Sequence, residues 1–524
     1  MRKKFYRNLT IKVLFAGVLI VGCTDLDIEE SDSLITDGAP VSEDGLIQFQ
    51  GVENVDSSID NVYNGFNRLG DQANFYALQE VSSDALLVPT RGTDWGDNGL
   101  WRTLHQHTWD ATHPFLLTVW NNWNSSIFLA SEILDERSSP NESQRALASF
   151  ARAFATYVIL DNFGQVPFRA ADEGPSIDPK VFTSSEATDF ILSDLDVAIA
   201  GLPAVSAMDI DNLKRGTKAS ARFLKAKVLL NAHIYRGETQ PSQADMEEVI
   251  SLVDAIAADG FGLQAGYFDI FKEDADTETI WWVPTGVGNR IWNGMHYNIV
   301  APDNGGGGWN GFSALSEFYD SFEGAPDNNY VGAGQEERRG FVPDATNAGP
   351  DNLGIGYGFL IGQQYSVDGV PLKTRPGEPL AFTRDYPGLQ GNGEASGIRT
   401  IKYHPVNGSF TSHEIIFRYA DAHLMKAEAM LRMGSDPTSL VNELRVIREA
   451  SPLGSVGEAE LLAERGRELY KEAWRRNDLV RFGQFTKDWE FKSGESVGNE
   501  IRNLYPIPAN ALLSNPNLVQ NPGY

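Results

Sequence analysis

The apolar residues in the first half of this chain recur at the spacing of an amphipathic α-helix, and this periodicity restricts the fold more than any other feature. Five segments show it: 112–138, 142–163, 185–201, 216–237 and 243–260. Each is long enough for several helical turns, and short polar stretches separate them. The pattern therefore predicts a mainly α-helical protein in which successive helices pack against one another.

The segment 216–237 indicates how those helices pack. It carries two apolar stripes, one with Leu224, Val228 and Tyr235 and the other with Phe223, Ala226, Leu230 and Ile234. A helix that is apolar on two sides is buried between neighbours. Helix pairs of about 34 residues are typical of tetratricopeptide (TPR) repeats. We therefore predict a mainly α fold of TPR-like stacked helix pairs, with a loop-rich insertion and a few short strands.

The middle of the chain differs from both ends. Residues 262–412 contain stretches such as "APDNGGGGWNG" that are rich in Gly, Pro, Asn and Asp, and the segment "TIWWV" (279–283) is a candidate strand. Loops of this length are usually functional, so this insertion is the candidate ligand region. The predicted organisation is a helical region over 41–261, the insertion over 262–412, and C-terminal helices with a closing tail over 413–524.

The N-terminus has the pattern of an export signal. A basic start precedes the apolar run 13–21, which is too short to span a membrane, and the sequence "IVGC" ends at Cys23, the only cysteine. This resembles a bacterial lipobox, so we predict a signal peptide over 1–22, lipidation of Cys23 and an acidic tether over 23–40. The alternative is a secreted protein with an incidental cysteine. With Cys23 acylated, no disulfide is possible.

The charge and the motifs exclude several functional classes. The net charge of −28 repels phosphate, which argues against a nucleic-acid partner. The sequence has no HExxH motif and no P-loop motif. In so acidic a chain, paired acids carry no information about glycosidase chemistry. We therefore predict no catalytic residue.

Two groups of side chains could bind a metal. His105, His107 and His113 are close in sequence and could supply metal ligands, but polar loop histidines beside a tryptophan explain them equally well. The acids of 273–278 and 302–304 could bind calcium, although neither has EF-hand spacing. The prediction is that no metal or other cofactor is required, with calcium as the alternative.

Several segments in the correct order resemble the SusD/RagB family of outer-membrane nutrient-binding lipoproteins. They are "FGQVPF" (163–168), "SDLDVAIAGLP" (193–203), "KRGTKASARFLKAKVLL" (214–230), "FRYADAHLMKAEAML" (417–431), "ERGRELYKEAWRRNDLVRFG" (464–483) and "LYPIPANALLSNPNLVQNPGY" (504–524). Gln165 and Ala473 depart from the family pattern, which usually has Asp and Gly there. Neither departure affects a known ligand contact of the family.

The resemblance implies a surface lipoprotein of the outer membrane that delivers its ligand to a SusC-like TonB-dependent transporter. Its charged motif residues predict buried or half-buried ion pairs that hold the last helices together. These residues are Arg418, Glu428, Glu464, Arg465, Glu468, Arg475 and Asp478. The alternative reading of these acids, a catalytic carboxylate pair, has no supporting motif.

Aromatic residues in turn-rich sequence are the candidate ligand contacts. A sugar ring stacks its C–H face on an indole or phenol while polar neighbours bind its hydroxyls. The candidate ligand-binding residues are Trp95, Asp97, Asn98, Trp101, Trp292, Tyr297 and Trp309. The alternative for each indole is packing in the core. The predicted function is glycan binding without catalysis; the alternatives are a RagB-like peptide binder and a surface glycoside hydrolase.

Overall fold

A computed structural model describes residues 45–301, 306–407 and 412–524. The signal peptide, Cys23 and the acidic tether that we predict lie outside this part. Within it, no helix combines the length and the apolar character needed to cross a membrane.

Helices make up most of the regular structure, as the periodicity predicts. They are α1 (Val55–Gly65), α2 (Leu100–Gln106), α3 (Pro114–Leu134), α4 (Glu142–Phe163), α5 (Ser184–Gly201), α6 (Lys218–Tyr235), α7 (Gln243–Ala258), α8 (Gly288–Ile291), α9 (Ser316–Tyr319), α10 (Tyr419–Arg432), α11 (Thr438–Ile447), α12 (Glu458–Leu469), α13 (Arg475–Arg481) and α14 (Ala509–Ser514). The five long helices predicted between 112 and 260 correspond to α3–α7.

These five helices form a stack in which each packs against the next, and α10 packs against α7. Polar caps begin them: Asn141 and Thr183 each form a capping box with the residue three positions later. Gly164 ends α4 with φ of 71°, a conformation that glycine adopts without a steric penalty. As expected for a helix with two apolar stripes, α6 lies between α5 and α7.

Short strands lie mainly in the insertion. They are β1 (Leu86–Leu87), β2 (Val166–Phe168), β3 (Lys180–Phe182), β4 (Thr279–Val283), β5 (Val300–Ala301), β6 (Gly306–Gly307), β7 (Ser313–Ala314), β8 (Gly340–Phe341), β9 (Tyr357–Leu360), β10 (Gly362–Gln363), β11 (Ala381–Phe382), β12 (Arg399–Ile401) and β13 (Glu414–Arg418). The predicted strand 279–283 is confirmed as β4. All pairings between these strands are antiparallel.

The region predicted to hold the C-terminal helices, 413–524, begins with a strand. Glu414–Arg418 is β13, which pairs with β4 across a bulge. Every residue of both strands is buried, and β-branched and aromatic side chains fit such a pair. This pairing joins the insertion to the C-terminal helices. The division of the chain into 41–261, 262–412 and 413–524 stays a prediction.

Aromatic rings fill the centre of the core. Trp123 of α3 and Trp281 of β4 pack against Phe66 and Phe154, with ring centroids 5.0–5.8 Å apart. Trp474 extends the cluster through Phe417, at 6.0 Å. The helical stack and the β4–β13 pair therefore share one hydrophobic core.

The predicted ion pairs of the C-terminal motifs are confirmed, and all are buried. Glu468 accepts from Arg338, Arg418 and Arg448 at 2.6–3.2 Å. A second cluster joins α10, α12 and α13: Arg465 pairs with Asp421 and Asp478. In that cluster Glu428 pairs with Arg481. Outside it, Glu464 pairs with Arg338, Arg445 and Arg467. Arg475 pairs with Asp84. These carboxylates bind arginines inside the protein and face no open cleft.

Candidate functional site

The candidate ligand residues come from two loops that are distant in sequence and adjacent in space. Residues 91–99 precede α2, and residues 292–310 lie between α8 and β7. The indole Nε1 of Trp95 donates a hydrogen bond of 2.6 Å to the main-chain oxygen of Trp309. The Trp95 ring also lies against the Cα of Gly311, where a Cβ atom would come within 2.4 Å of the indole. A glycine at this position is therefore needed for the two loops to meet.

Trp309 is the one exposed indole of this protein. All tryptophans lie in the described residues; Trp309 is 65% exposed, Trp95 is half-buried and the others are buried. Trp309 follows the β5–β6 hairpin, whose residues 302–305 are outside the described part. An indole left in water at a loop offers an amphipathic face on which a ligand can stack.

Two of the predicted contacts are interior residues. Trp101 is 3% exposed and packs on Phe115 and Phe312, with centroids at 4.8 and 5.4 Å; Trp292 is 2% exposed. Neither ring presents a face to solvent, so a ligand could not stack on either indole in this conformation. Trp101 instead supports the site, because its Nε1 donates to Asp97 at 2.9 Å and its ring packs edge-on against Trp95. For these two residues, the core-packing alternative describes what the structure shows.

The backbone of both loops is strained. Trp95, Asp97 and Asn98 have φ of 58°, 35° and 51°, and Asn310 has φ of 57°. Non-glycine residues in this left-handed region carry a cost of about 1–3 kcal/mol each and cluster at functional sites. Asp97 and Asn98 are exposed beside Trp95, so their side chains are accessible to a ligand.

Arg399 supports the loop 292–310 through buried hydrogen bonds. Its guanidinium is fully buried and donates to Asn310 Oδ1 at 2.7 Å and to the main-chain oxygen of Glu394 at 3.0 Å. Asn310 donates in turn to the same Glu394 oxygen at 3.0 Å. Since Asn310 directly follows Trp309, this network fixes the exposed indole relative to the loop that carries Glu394.

Tyr297 belongs to a charged cluster at the same surface. Its hydroxyl donates to Asp94, and Arg375 stacks on its ring with the guanidinium carbon 3.7 Å from the centroid. Arg375 donates through Nε to Glu394 at 2.5 Å and through Nη2 to Asp94 at 3.0 Å. His296 Nε2 lies 2.9 Å from Glu394. Because Asp94 is next to Trp95, the cluster and the indoles form one candidate site: Asp94, Trp95, Tyr297, Trp309, Arg375 and Glu394.

The charges of this cluster follow from its surroundings. Burial raises the pKa of Tyr297, and the hydrogen bond and charge of Asp94 raise it further, so the phenol stays protonated. Burial lowers the pKa of His296, which leaves a neutral imidazole at pH 7. Partial burial would raise the pKa of Glu394, but the hydrogen bonds from Arg375 and His296 outweigh it and hold that pKa below its ordinary value. Arg375 thus faces two carboxylates.

Sequence reasoning missed Arg375, Asp94 and Glu394. Arg375 and Glu394 lie in "RPGEPLAFTRDYPGLQGNGEASG", a loop-rich stretch assigned to the insertion, so their region was identifiable but their roles were not. The ion pair between Arg375 and Asp94 joins residues 281 positions apart. No local pattern reports a contact over that distance.

The histidines predicted as possible metal ligands have other partners. His105, His107 and His113 each bond a main-chain oxygen, those of Glu490, Ser82 and Leu100 respectively, at 2.6–3.1 Å. In the acidic stretch 273–278, Asp276 accepts from the main chain of Glu278 and Thr279. Across 45–301, 306–407 and 412–524, no cluster of three or more His, Cys, Asp or Glu side chains could hold a metal.

Both the sequence and the fold of this chain are similar to those of known proteins. Residues 277–524 match the profile of the SusD family. The full chain aligns with the starch-binding protein SusD of Bacteroides thetaiotaomicron at 26% identity, covering 100% of this chain and 99% of that protein.

Solved structures share the same fold. A SusD-like protein from Bacteroides fragilis superposes with a TM-score of 0.69 at 21% identity, covering 93% of this chain and 100% of that one. A laminarin-binding SusD-like protein superposes with a TM-score of 0.60 at 19% identity, covering 91% and 100%. At these identities the structural likeness concerns the fold.

Proposed function

We propose that this chain, which belongs to the SusD family, binds oligosaccharides at the cell surface through the candidate site and does not cleave them. The observation that carries the proposal is the exposed indole of Trp309, bonded to the half-buried Trp95 in strained loops. An indole face held in water matches the C–H face of a sugar ring, and the nearby Asp97 and Asn98 offer groups that bind hydroxyls.

The relatives support the ligand class. One is named for starch binding and another for laminarin binding, and both ligands are neutral glucans. The candidate site fits such ligands because its polar groups surround an apolar ring. Trp95, Asp97, Asn98, Tyr297 and Trp309 are the residues that we propose to contact or border the glycan, with Trp101 and Trp292 as buried support.

The location and the partner are also part of the proposal. The lipobox at Cys23 and the acidic residues after it favour a lipid-anchored protein on the outer surface of the outer membrane. The family resemblance favours a SusC-like TonB-dependent transporter as the protein that receives the ligand. In this scheme the chain captures the glycan, and the transporter supplies the energy for uptake.

Isothermal calorimetry with maltoheptaose, laminariheptaose and a mixed peptide pool tests the ligand class. We expect the wild type to bind at least one of the glucans, without releasing new reducing ends. Binding of peptides alone would favour the RagB-like alternative, and new reducing ends would favour the hydrolase. Either result would overturn the proposal.

The variant Trp309→Ala tests the site. An indole offers about 250 Å²; the exposed 65% is about 160 Å², and a sugar on one face would cover about half. At about 25 cal/mol per Å², that area contributes about 2 kcal/mol, or about 30-fold in affinity. The control is Leu513→Ala, which removes another exposed apolar side chain, 87% accessible, from α14. Equal affinity of Trp309→Ala and this control would refute the site.

A further inference from the structure

Arg375 covers the ring on which a sugar would be expected to stack. Its guanidinium carbon lies 3.7 Å from the Tyr297 ring centroid, the separation of two groups in direct contact. A ligand cannot occupy that face of Tyr297 unless the arginine moves away. The stacking contact expected for Tyr297 is therefore already made within the protein.

The protein holds this guanidinium in one orientation. Nε donates to Glu394 Oε1 and Nη2 donates to Asp94 Oδ2, while the main-chain N–H of Arg375 donates to Glu394 Oε2 at 2.8 Å. Both carboxylates have further partners, His296 for Glu394 and the Tyr297 hydroxyl for Asp94. Moving Arg375 would break two ion pairs and a stacking contact, so these contacts favour its position over the phenol.

The outer edge of the same guanidinium is available to a ligand. The Arg375 side chain is 51% exposed in spite of its ion pairs. Among the described residues, none accepts a hydrogen bond from Nη1, and Nη2 uses one of its two hydrogens for Asp94. The Nη1–Nη2 edge of an arginine presents two parallel N–H groups, the geometry that binds two neighbouring oxygens.

We propose that Arg375 is the ligand-binding group at the Tyr297 end of the site, and that its free edge donates to two adjacent hydroxyl oxygens of a neutral sugar. This inference rests on the proposed function. Tyr297 then acts as a positioning residue, because its ring supports the guanidinium and its hydroxyl orients Asp94. Trp309 supplies the apolar contact and Arg375 the polar one.

The local charge selects neutral sugars over acidic ones. Arg375 carries one positive charge against the two negative charges of Asp94 and Glu394, and Asp97 lies on the same loop as Asp94. His296 and Tyr297 are neutral, so the side chains around the exposed edge of Arg375 are negative overall, while the positive charge of Arg399 lies fully buried beneath them. A uronate or sulfate group would gain from the arginine but would be repelled by the carboxylates that hold it. A hydroxyl pair accepts the same hydrogen bonds without that repulsion.

The test compares variants on three probes: maltoheptaose, laminariheptaose and an oligogalacturonate of the same length. We expect Arg375→Ala to weaken binding of the preferred neutral glucan about 10-fold, since two hydrogen bonds are lost. The matched control is Arg215→Ala, because Arg215 is similarly exposed, at 49%, and pairs with Asp60 of α1, which is not part of the candidate site. This control is expected to bind like the wild type.

A second variant separates ligand contact from a structural role. Glu394→Gln removes one negative charge but keeps an acceptor for Arg375. We expect it to strengthen oligogalacturonate binding about 3-fold or more while neutral-glucan binding stays equal or weakens. General loosening of the site would weaken all probes together, and that result would overturn the charge argument.

The outcomes distinguish this inference from the function on which it rests. If the wild type binds no glycan, the proposed function fails, and this inference fails with it. If Trp309→Ala weakens binding but Arg375→Ala matches Arg215→Ala, the function stands and the role of Arg375 is refuted. Tighter wild-type binding of the oligogalacturonate than of either glucan would refute the selection of neutral sugars.

Discussion

Replacing Glu468 by glutamine should destabilise the protein by about 3–5 kcal/mol, the usual effect of removing one partner from a buried ion pair. The Glu468 side chain is fully buried, and its two oxygens accept from three guanidinium groups, those of Arg338, Arg418 and Arg448. Burial would raise the pKa of this carboxyl, but the three arginines hold it well below its ordinary value. Glutamine has nearly the same shape, so the change is mainly one of charge.

Other carboxylates limit the loss of stability in this variant. Arg338 keeps Glu336 and Glu464, while Arg418 and Arg448 keep Glu278. The variant therefore loses one of several compensating charges, and its amide N–H groups face arginine donors. A loss in the range of 3–5 kcal/mol is smaller than the stability of most folded proteins of this size, so we expect the variant to fold.

Urea unfolding followed by tryptophan fluorescence measures this loss, with calorimetry as a second readout. For about 480 folded residues, an unfolding entropy of about 2.1 cal/mol/K per residue gives about 1 kcal/mol/K, so Tm should fall by about 3–5 °C. The control is Asp60→Asn, which breaks an ion pair with Arg215 in which both side chains are about half exposed. Exposed pairs contribute about 0–1 kcal/mol, so its Tm should fall by about 1 °C at most.

Equal losses in the two variants would refute the reasoning, since they would show that burial does not make the Glu468 charge more important than a surface charge. A changed slope against urea would also count against it, because the argument requires the same folded and unfolded states.

The remaining predictions concern pH and anchoring. Burial would raise the pKa values of Glu428 and Glu464, but their arginine partners lower each to about 2, from about 4.5 when unfolded. Their contribution, about 3 kcal/mol each, is therefore present above pH 4.5 and is lost as the pH falls toward 2. Tm measured at pH 7, 5 and 3 should drop most below pH 5, and less steeply in Glu428→Gln; a flat profile in the wild type would contradict the assignment. Cys23→Ala should release the protein from the membrane fraction, and a variant that stays there would show that the anchor is not a lipid on Cys23.

Much of the scaffold follows from local sequence. The helices α3–α7 were predictable because an amphipathic helix repeats its apolar residues every three or four positions, and the caps at Asn141 and Thr183 lie next to the segments that they begin. The ion pairs of α12 and α13 were predictable from the resemblance of "ERGRELYKEAWRRNDLVRFG" to the family motif. The strand β13 was not, since "EIIFR" is apolar enough for either structure and only pairing with β4 decides it.

The candidate site was likewise predictable only in part. The sequence by itself determined that tryptophans lie in polar, glycine-rich loops. Only the tertiary structure decided which ring stays in water, because burial depends on what packs against a side chain. Trp101 is covered by Phe115 and Phe312, whereas Trp309 is held by a hydrogen bond to its main chain from Trp95, 214 positions away, and its indole remains exposed. Contacts over such distances arise from the folded shape, and local residue spacing does not encode them.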